Sequence, residues 1–199
     1  MSGRELIESM GIPDKVEDHS TTSHTFKADL YDFFKDFNDK ILVEFGTSRG
    51  YTSGFCSKFF KEVHTLNKWR NEDTLWYLKQ FENVTPYMIG LGRGNNWREH
   101  LERVPKGDVY FIDAEHTYRA IRRDTRLVRE VGNKAAYIVY DDYGTYPDIK
   151  RAVDDLIAED ELRFIKYIGE EKGWKYGEGG GAGYRRTLTD REGIICRKT

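Results

Sequence analysis

Short apolar runs alternate with amphipathic segments over most of the chain. Each of the first five runs has the length of a β-strand and precedes a segment with helical spacing of its apolar residues. These runs cover residues 41–45, 62–67, 85–90, 108–113 and 135–140. Two later runs, 162–168 and 193–198, have no helix between them. The pattern predicts an α/β fold: a mostly parallel seven-stranded sheet with an antiparallel C-terminal hairpin and helices on both faces.

The first 40 residues precede the first predicted strand. A short helix is expected around Leu6, Ile7 and Met10, and a second helix follows a polar loop. No internal repeat or linker divides the chain. We therefore predict one domain over residues 1–199, in which residues 1–40 form a helical cap or lid and residues 41–199 form the core.

Composition narrows the classes of protein that this chain can represent. The 199 residues carry a formal net charge of −2, so no large basic excess indicates a nucleic-acid partner. No apolar run has the length that spans a bilayer, and the N-terminus does not resemble a signal peptide. Cys56 and Cys196 lie far apart, without metal-site spacing. These features favour a cytoplasmic protein with no membrane partner; a homo-oligomer stays open.

The loop after the first strand is the first candidate site. It reads Glu44-Phe45-Gly46-Thr47-Ser48-Arg49-Gly50, and this strand–glycine loop–helix order is typical of nucleoside-binding turns. The dinucleotide motif is incomplete because Ser48 holds its middle position. A carboxylate at Glu44 would repel a pyrophosphate but would accept a hydrogen bond from an ammonium group. The loop therefore favours an amino-acid-bearing nucleoside, and a tight turn without a ligand is the alternative. The candidate cofactor-binding residues here are Glu44, Gly46, Thr47, Ser48 and Gly50.

Two asparagines extend the candidate cofactor site. Asn67 ends the second predicted strand, where nucleoside-binding folds place a residue that contacts the ribose hydroxyls. An amide can form that contact, although the charge-assisted bond of an acidic residue is lost. Asn95 lies in the loop after the third strand, where it either contacts the bound nucleoside or only caps the next helix.

Three carboxylates follow the fourth and fifth strands. Asp113 ends the fourth strand, and Asp141 and Asp142 come directly after the fifth. Because neighbouring parallel strands end at the same edge of the sheet, we expect these carboxylates to converge and to repel one another. A divalent cation would relieve the repulsion, and oxygen ligands suit Mg²⁺, or else Mn²⁺ or Ca²⁺. In the alternative, one aspartate caps a helix and another pairs with an arginine of residues 119–129.

His116 lies three residues after Asp113, at the mouth of the same predicted site. Histidine titrates near neutral pH and can remove a proton from a hydroxyl group. We therefore consider His116, with Asp113, as the catalytic candidates. The alternative is a structural histidine at the start of the next helix.

Two stretches resemble motifs of a known family. Ile-Asp-Ala-Glu-His-Thr-Tyr begins at residue 112, and Ile-Val-Tyr-Asp-Asp-Tyr-Gly begins at residue 138. With the motif Glu-x-Gly-Thr-x-x-Gly at residue 44, they resemble class I S-adenosylmethionine methyltransferases, in the family 24-like group of macrocin-type O-methyltransferases and cephalosporin hydroxylase-like proteins. The departures from the pattern are Ser48 and Asn67. The resemblance covers roughly residues 40–168.

The resemblance implies a Rossmann-like methyltransferase fold and assigns roles to the residues that match. Gly46, Gly50 and Glu44 would bind S-adenosylmethionine. Mg²⁺ would be held by three aspartates, and His116 would be the base. The aspartates are Asp113, Asp141 and Asp142.

The sequence therefore predicts an enzyme that transfers a methyl group from S-adenosylmethionine to a hydroxyl of a small sugar- or diol-like acceptor, with the assistance of Mg²⁺. A nucleic-acid acceptor is not expected. One alternative is a nucleotide-binding or hydroxylase-like protein that does not methylate. The other is a catalytically silent S-adenosylmethionine-binding module, which Ser48 and Asn67 make conceivable.

Overall fold

Seven strands form one sheet in this computed structural model, which describes residues 1–15, 17–18, 20–88, 101–171 and 191–199. The strands are β1 Ile41–Phe45, β2 Glu62–Asn67, β3 Val84–Met88, β4 Val109–Ile112, β5 Tyr137–Tyr140, β6 Leu162–Ile168 and β7 Gly193–Lys198. Their order is β3-β2-β1-β4-β5-β7-β6. Strands β1 to β5 pair in parallel, and β7 is antiparallel to both β5 and β6. The predicted fold class is confirmed.

The described helices begin and end at residues that the sequence marks. They are α1 Gly3–Met10, α2 His24–Phe34, α3 Tyr51–Cys56, α4 Glu72–Leu78, α5 Tyr118–Val131 and α6 Pro147–Ala158. Ser2 forms a capping box with Glu5 at the start of α1. The Thr117 hydroxyl caps α5 by accepting from the Ala120 N–H. Pro147 occupies the first turn of α6, where the missing N–H costs nothing.

The central strands are buried on both faces, which explains their nearly continuous apolar sequence. In β1, Val43 packs into the cluster that contains Val128 of α5, whereas Leu42 packs into the cluster that contains Phe26 of α2 and Phe55 of α3. Helices α1, α2 and α3 therefore cover one face, and α5 and α6 cover the other. The predicted N-terminal segment contributes to the core through α1 and α2.

The strand order reverses between β1 and β4, and this is where parallel α/β sheets open a crevice at their carboxyl ends. Gly46 follows β1 and Asp113 follows β4, so the two loops meet there. Gly46 has φ +99°, and a Cβ at this position would lie 2.1 Å from the Asp113 carbonyl oxygen. Only glycine allows the loops to approach so closely.

Among the described residues, no helix has the length and apolar character needed to cross a bilayer.

Candidate active site

A cleft of about 420 Å³ opens at the carboxyl ends of the parallel strands. Three parts of the chain line it. The N-terminal segment contributes Lys15, Ser20 and Thr21; the loops after β1 and β2 contribute Gly46, Ser48, Asn67, Lys68 and Trp69; the loops after β4 and β5, with α5, contribute Asp113, Ala114, Glu115, His116, Arg123, Asp141 and Asp142. The cleft therefore brings the glycine loop and the aspartates together.

Backbone conformation shapes the side of the cleft next to β1. Ser48 has φ +46°, a left-handed conformation that is uncommon for a residue with a side chain. Its carbonyl oxygen accepts a hydrogen bond of 2.7 Å from the Thr74 hydroxyl, which ties the loop to α4. Gly50 has φ +83° and caps α3, and a Cβ there would meet Leu78 at 2.9 Å. The loop is thus held in one shape by α3 and α4.

The predicted cofactor-binding residues divide into two groups. Gly46, Ser48, Asn67 and Asp113 line the cleft. Thr47 and Gly50 belong to the loop but do not line the cleft; the hydroxyls of Thr47 and Thr65 form a hydrogen bond of 2.6 Å. Asn95 lies outside the described residues. The assignment of these residues to S-adenosylmethionine stays a prediction.

Glu44 is buried beneath the loop and is not among the residues that line the cleft. Its carboxyl group accepts hydrogen bonds from the hydroxyls of Ser53 and Thr65. Burial raises the pKa of Glu44 to about 8, although both hydrogen bonds act in the opposite direction. In this structure Glu44 joins β1 to β2 and α3, and its contact with a cofactor ammonium group stays a prediction.

The loops after β4 and β5 bring ionisable side chains into the cleft. Asp113, His116 and Asp142 each offer one ligand atom, and these atoms lie within 4.8 Å of one another. The Nε2 atom of His116 is 3.6 Å from Asp113 Oδ1 and 3.6 Å from Asp142 Oδ2. The imidazole ring stacks on Tyr146 with 4.3 Å between centroids. These three residues are called the DHD cluster below.

Asp142 adopts φ +57°, which is strained for a residue with a side chain. The Thr145 and Tyr146 N–H groups donate to its carbonyl oxygen and hold this turn. Backbone strain of this kind is concentrated at functional sites, where the surrounding structure enforces it. The strained turn directs the Asp142 carboxylate toward His116.

Lys15 changes the predicted arrangement of the aspartates. Its Nζ is 3.1 Å from Asp142 Oδ1, 3.6 Å from Asp141 Oδ2 and 3.1 Å from Glu192 Oε1, and the lysine is 3% exposed. The prediction of three uncompensated carboxylates is therefore wrong, because an ammonium group lies among them. The described geometry groups Asp113 with His116 and Asp142, and Asp141 falls outside this group.

Burial and charge shift the pKa values of these groups. Burial raises the pKa of Asp113 and raises that of Asp141 well above its usual range. Burial alone would lower the pKa of Lys15, but Asp141, Asp142 and Glu192 raise it well above the usual value. The site therefore retains Lys15 as a cation and resists the ionisation of every carboxylate at once.

Glu192 anchors this arrangement from the start of β7. It is 1% exposed and accepts hydrogen bonds from Lys15, from the Ser23 N–H at 3.0 Å and from the Glu170 N–H at 3.2 Å. The N-terminal segment is thereby bonded to the C-terminal hairpin. Lys15 and Glu192 could not be recognised from the sequence, because a single lysine and a single glutamate in polar segments form no motif.

The donor set of the DHD cluster fits a divalent cation. Asp113 and Asp142 supply carboxylate oxygens, which suit hard cations, and an imidazole nitrogen is in reach. Asp141 Oδ1 is buried and has no hydrogen-bond partner among the described residues, although Asp141 lies outside the cluster.

Comparison with known proteins identifies the class of this protein. The family model Methyltransf_24, a methyltransferase domain, matches residues 43–143, which is about half of the chain. The chain belongs to this family and is an S-adenosylmethionine-dependent methyltransferase. A curated relative, the uncharacterized protein R132 of Acanthamoeba polyphaga mimivirus, is 38% identical over 63 residues. That match covers 30% of this chain and 28% of the relative.

Solved structures share the fold at low identity. An O-methyltransferase from Bacillus cereus in complex with SAH has a TM-score of 0.65 at 14% identity, over 98% of this chain and 96% of that one. TomG, an O-methyltransferase from Streptomyces achromogenes in complex with SAM, has 0.63 at 15%, over 99% and 87%. The tRNA (m1A58) methyltransferase TrmI from Aquifex aeolicus has 0.61 at 15%, over 100% and 76%. These likenesses concern the fold and leave the acceptor open.

Proposed function

We propose that this methyltransferase transfers the methyl group of S-adenosylmethionine to a hydroxyl of a small sugar- or diol-like acceptor, with Mg²⁺ at the DHD cluster. The observation that carries the proposal is the proximity of this cluster to the loop of Gly46 and Ser48 in one cleft. A donor held at the loop and an acceptor held at the cluster would face each other, and such positioning supplies much of the rate of a transfer between two substrates.

Asp113 and Asp142 would hold the cation, with water completing its coordination, as is usual for Mg²⁺. A bound Mg²⁺, or Mn²⁺ or Ca²⁺ in its place, would lower the pKa of an acceptor hydroxyl. Charge supports this assignment. Asp113, Asp141, Asp142 and Glu192 surround Lys15, and Lys27 interacts with Asp141 and Glu192 from a buried position. The four carboxyl groups outnumber the two ammonium groups, so a bound cation would offset the cost of ionising all four.

His116 acts as the base in this proposal. Its Nε2 faces Asp113 and Asp142, and its stacking on Tyr146 fixes the ring. His116 would take the proton of the acceptor hydroxyl as the methyl group is transferred. The same nitrogen cannot bind a cation and take a proton at once, so the base role leaves only the aspartates as cation ligands.

The N-terminal segment belongs to the proposed site as a cap. Lys15, Ser20 and Thr21 line the cleft opposite the glycine loop. Residues 1–40 would thus enclose the acceptor within a single domain. A cytoplasmic location is part of the proposal, and Cys56 and Cys196, which are buried and unbonded, are compatible with it. A homo-oligomer stays a prediction.

Substitution at Asp142 tests the proposal. Asp142→Asn keeps a residue that tolerates the left-handed conformation but removes the charge. We expect methyl transfer to a panel of catechols and sugars, measured as release of S-adenosylhomocysteine, to fall at least about 100-fold. The affinity for S-adenosylhomocysteine should stay within about threefold, because the glycine loop is unchanged. Full activity of the variant, or of the unchanged protein in EDTA, would refute the cation role.

The chain offers a matched control and a second variant. Asp160 is exposed, lies at the end of α6 and has φ +56°, so Asp160→Asn repeats the same change away from the cleft. His116→Gln distinguishes a catalytic base from a metal ligand. If His116 is the base, the variant loses about 10² to 10⁴ in rate but still binds Mn²⁺. Loss of Mn²⁺ binding as well would make His116 a ligand.

A further inference from the structure

Lys15 occupies an unusual position for a lysine. Its Nζ is in contact with carboxylates from two other parts of the chain, the loop after β5 and the start of β7, and its side chain is 4% exposed. Burying an ammonium group is costly unless paired charges compensate it. A lysine without such partners would stay at the surface, so the burial of Lys15 in the cleft requires a structural explanation.

The two oxygens of Asp142 face different partners. Oδ1 accepts a hydrogen bond of 3.1 Å from Lys15, whereas Oδ2 lies 3.6 Å from His116 and belongs to the DHD cluster. Asp142 therefore bridges an internal ammonium group and the proposed cation position. Asp141 has Oδ2 beside Lys15 at 3.6 Å and stays outside the cluster.

We propose that Lys15 is a positioning residue that limits the affinity of the site for divalent cations. Its ammonium group holds Asp141 away from the DHD cluster and adds a positive charge next to it. This inference rests on the proposed cation role of the cluster. A like charge within a few ångströms weakens cation binding, and the loss of a third carboxylate ligand weakens it further.

Contacts of the N-terminal segment hold Lys15 in place, which gives the limit on cation affinity a structural basis. Glu192 fixes the lysine and also accepts hydrogen bonds from the N–H and hydroxyl groups of Ser23, at the start of α2. The N-terminal segment therefore completes the part of the cleft next to the DHD cluster. A cation that drew in Asp141 would have to displace Lys15.

The test measures Mn²⁺ binding to the full chain without cofactor, from the electron paramagnetic resonance signal of free Mn²⁺. Lys15→Met keeps the length of the stem and removes the charge. We expect it to bind Mn²⁺ at least about tenfold more tightly than the unchanged protein. Lys40→Met removes an exposed lysine that pairs with Asp39, and its affinity should stay within about twofold.

A second variant covers the case in which Lys15→Met does not fold, since its carboxylates lose their counterion. Lys15→Met/Glu192→Gln removes one carboxylate together with the ammonium group and so keeps the net charge. We expect this double variant also to bind Mn²⁺ more tightly, because Asp141 becomes free to join the cluster. Adding Asp113→Asn should abolish the gain and so locate it at the cluster.

The outcomes separate this inference from the proposed function. Unchanged or weaker Mn²⁺ binding in the foldable Lys15 variant would overturn the role of Lys15 while leaving the cation proposal intact. If only the Lys15 variants bind Mn²⁺, the limit set by Lys15 is supported and the cation role in the unchanged protein fails. If no form binds Mn²⁺, both proposals fail.

Discussion

The two sides of the cleft reach their shapes by different means. The glycine side, formed by Gly46, Ser48 and Asn67, depends on backbone angles and on close approach between loops. The carboxylate side, formed by the DHD cluster with Lys15, depends on ion pairs between distant parts of the chain. Backbone geometry is set by local sequence and is rigid, whereas a balance of buried charges can be changed by adding or removing one charge.

This difference suits the two tasks of a methyltransferase. Under the proposed function, the glycine side would offer a fixed surface for a cofactor that is the same in every turnover. The carboxylate side would offer adjustable charge for an acceptor whose proton must leave. Variants that alter the backbone should therefore affect the glycine side, and variants that alter charge should affect the carboxylate side.

The largest effect should come from Gly46→Ala. The new Cβ would lie 2.1 Å from the Asp113 carbonyl oxygen at φ +99°, so both loops must move. We expect a loss of at least about 3 kcal/mol in unfolding free energy, or a fall in Tm of roughly 6–12 °C. Affinity for S-adenosylhomocysteine should also be lost. Thermal unfolding and calorimetric titration measure the two effects.

Gly11→Ala is the matched control for this change. Gly11 also has a positive φ, +62°, but a Cβ there meets nothing within 4 Å. The cost should be only about 1 kcal/mol, from backbone strain alone. Equal losses in the two variants would show that the conformation of Gly46, and not the approach to Asp113, is what matters.

The next largest effect should come from Glu44→Gln, and it is a change in how the free energy of unfolding depends on pH. The pKa of Glu44 is raised from 4.5 to about 8 in the folded protein, so the folded state keeps a proton that the unfolded state releases. This contribution to stability is complete below pH 4.5 and is lost as pH rises to about 8. Glu44→Gln should remove this loss, which is on the order of 3 kcal/mol between pH 5 and pH 8.

Urea unfolding at several pH values between 5 and 8 measures the effect. As pH rises, the free energy of unfolding of Glu44→Gln should increase relative to that of the unchanged protein. Glu72→Gln, at an exposed carboxylate of α4, should show the same pH dependence as the unchanged protein. If the unfolding free energies of Glu44→Gln and of the unchanged protein depended on pH in the same way, Glu44 would be ionised in the folded protein. The glycine side would then hold a buried charge, and the contrast between the two sides would weaken.

The sequence predicted the parts of the site that local pattern determines. The glycine loop after β1 and the aspartates after β4 and β5 follow strands whose burial on both faces gives a clear apolar signal. Local residue preference also places helix ends: Gly11 ends α1, Thr117 caps the start of α5 and Pro147 begins α6. Seven strands and the C-terminal hairpin could therefore be predicted.

The charge balance could not be predicted in this way. Lys15 pairs with Asp142 across 127 residues and with Glu192 across 177, and no local pattern links such residues. The partners of Glu44 could not be predicted either: its carboxyl group accepts hydrogen bonds from Ser53 of α3 and Thr65 of β2. Contacts of this kind depend on the packing of the whole domain.

The smallest effect should come from Ser48→Gly, which restores the glycine missing from the motif. Glycine relieves the strain at φ +46° but costs unfolded-state entropy, so stability should rise by about 0–1 kcal/mol. If the backbone of the loop contacts the cofactor, affinity for S-adenosylhomocysteine stays the same or improves. Ser48→Ala is the control, because it removes the hydroxyl and keeps the strain. Equal weakening by both variants would assign the contact to the Ser48 hydroxyl, and the glycine side would then depend on a side chain as the carboxylate side does.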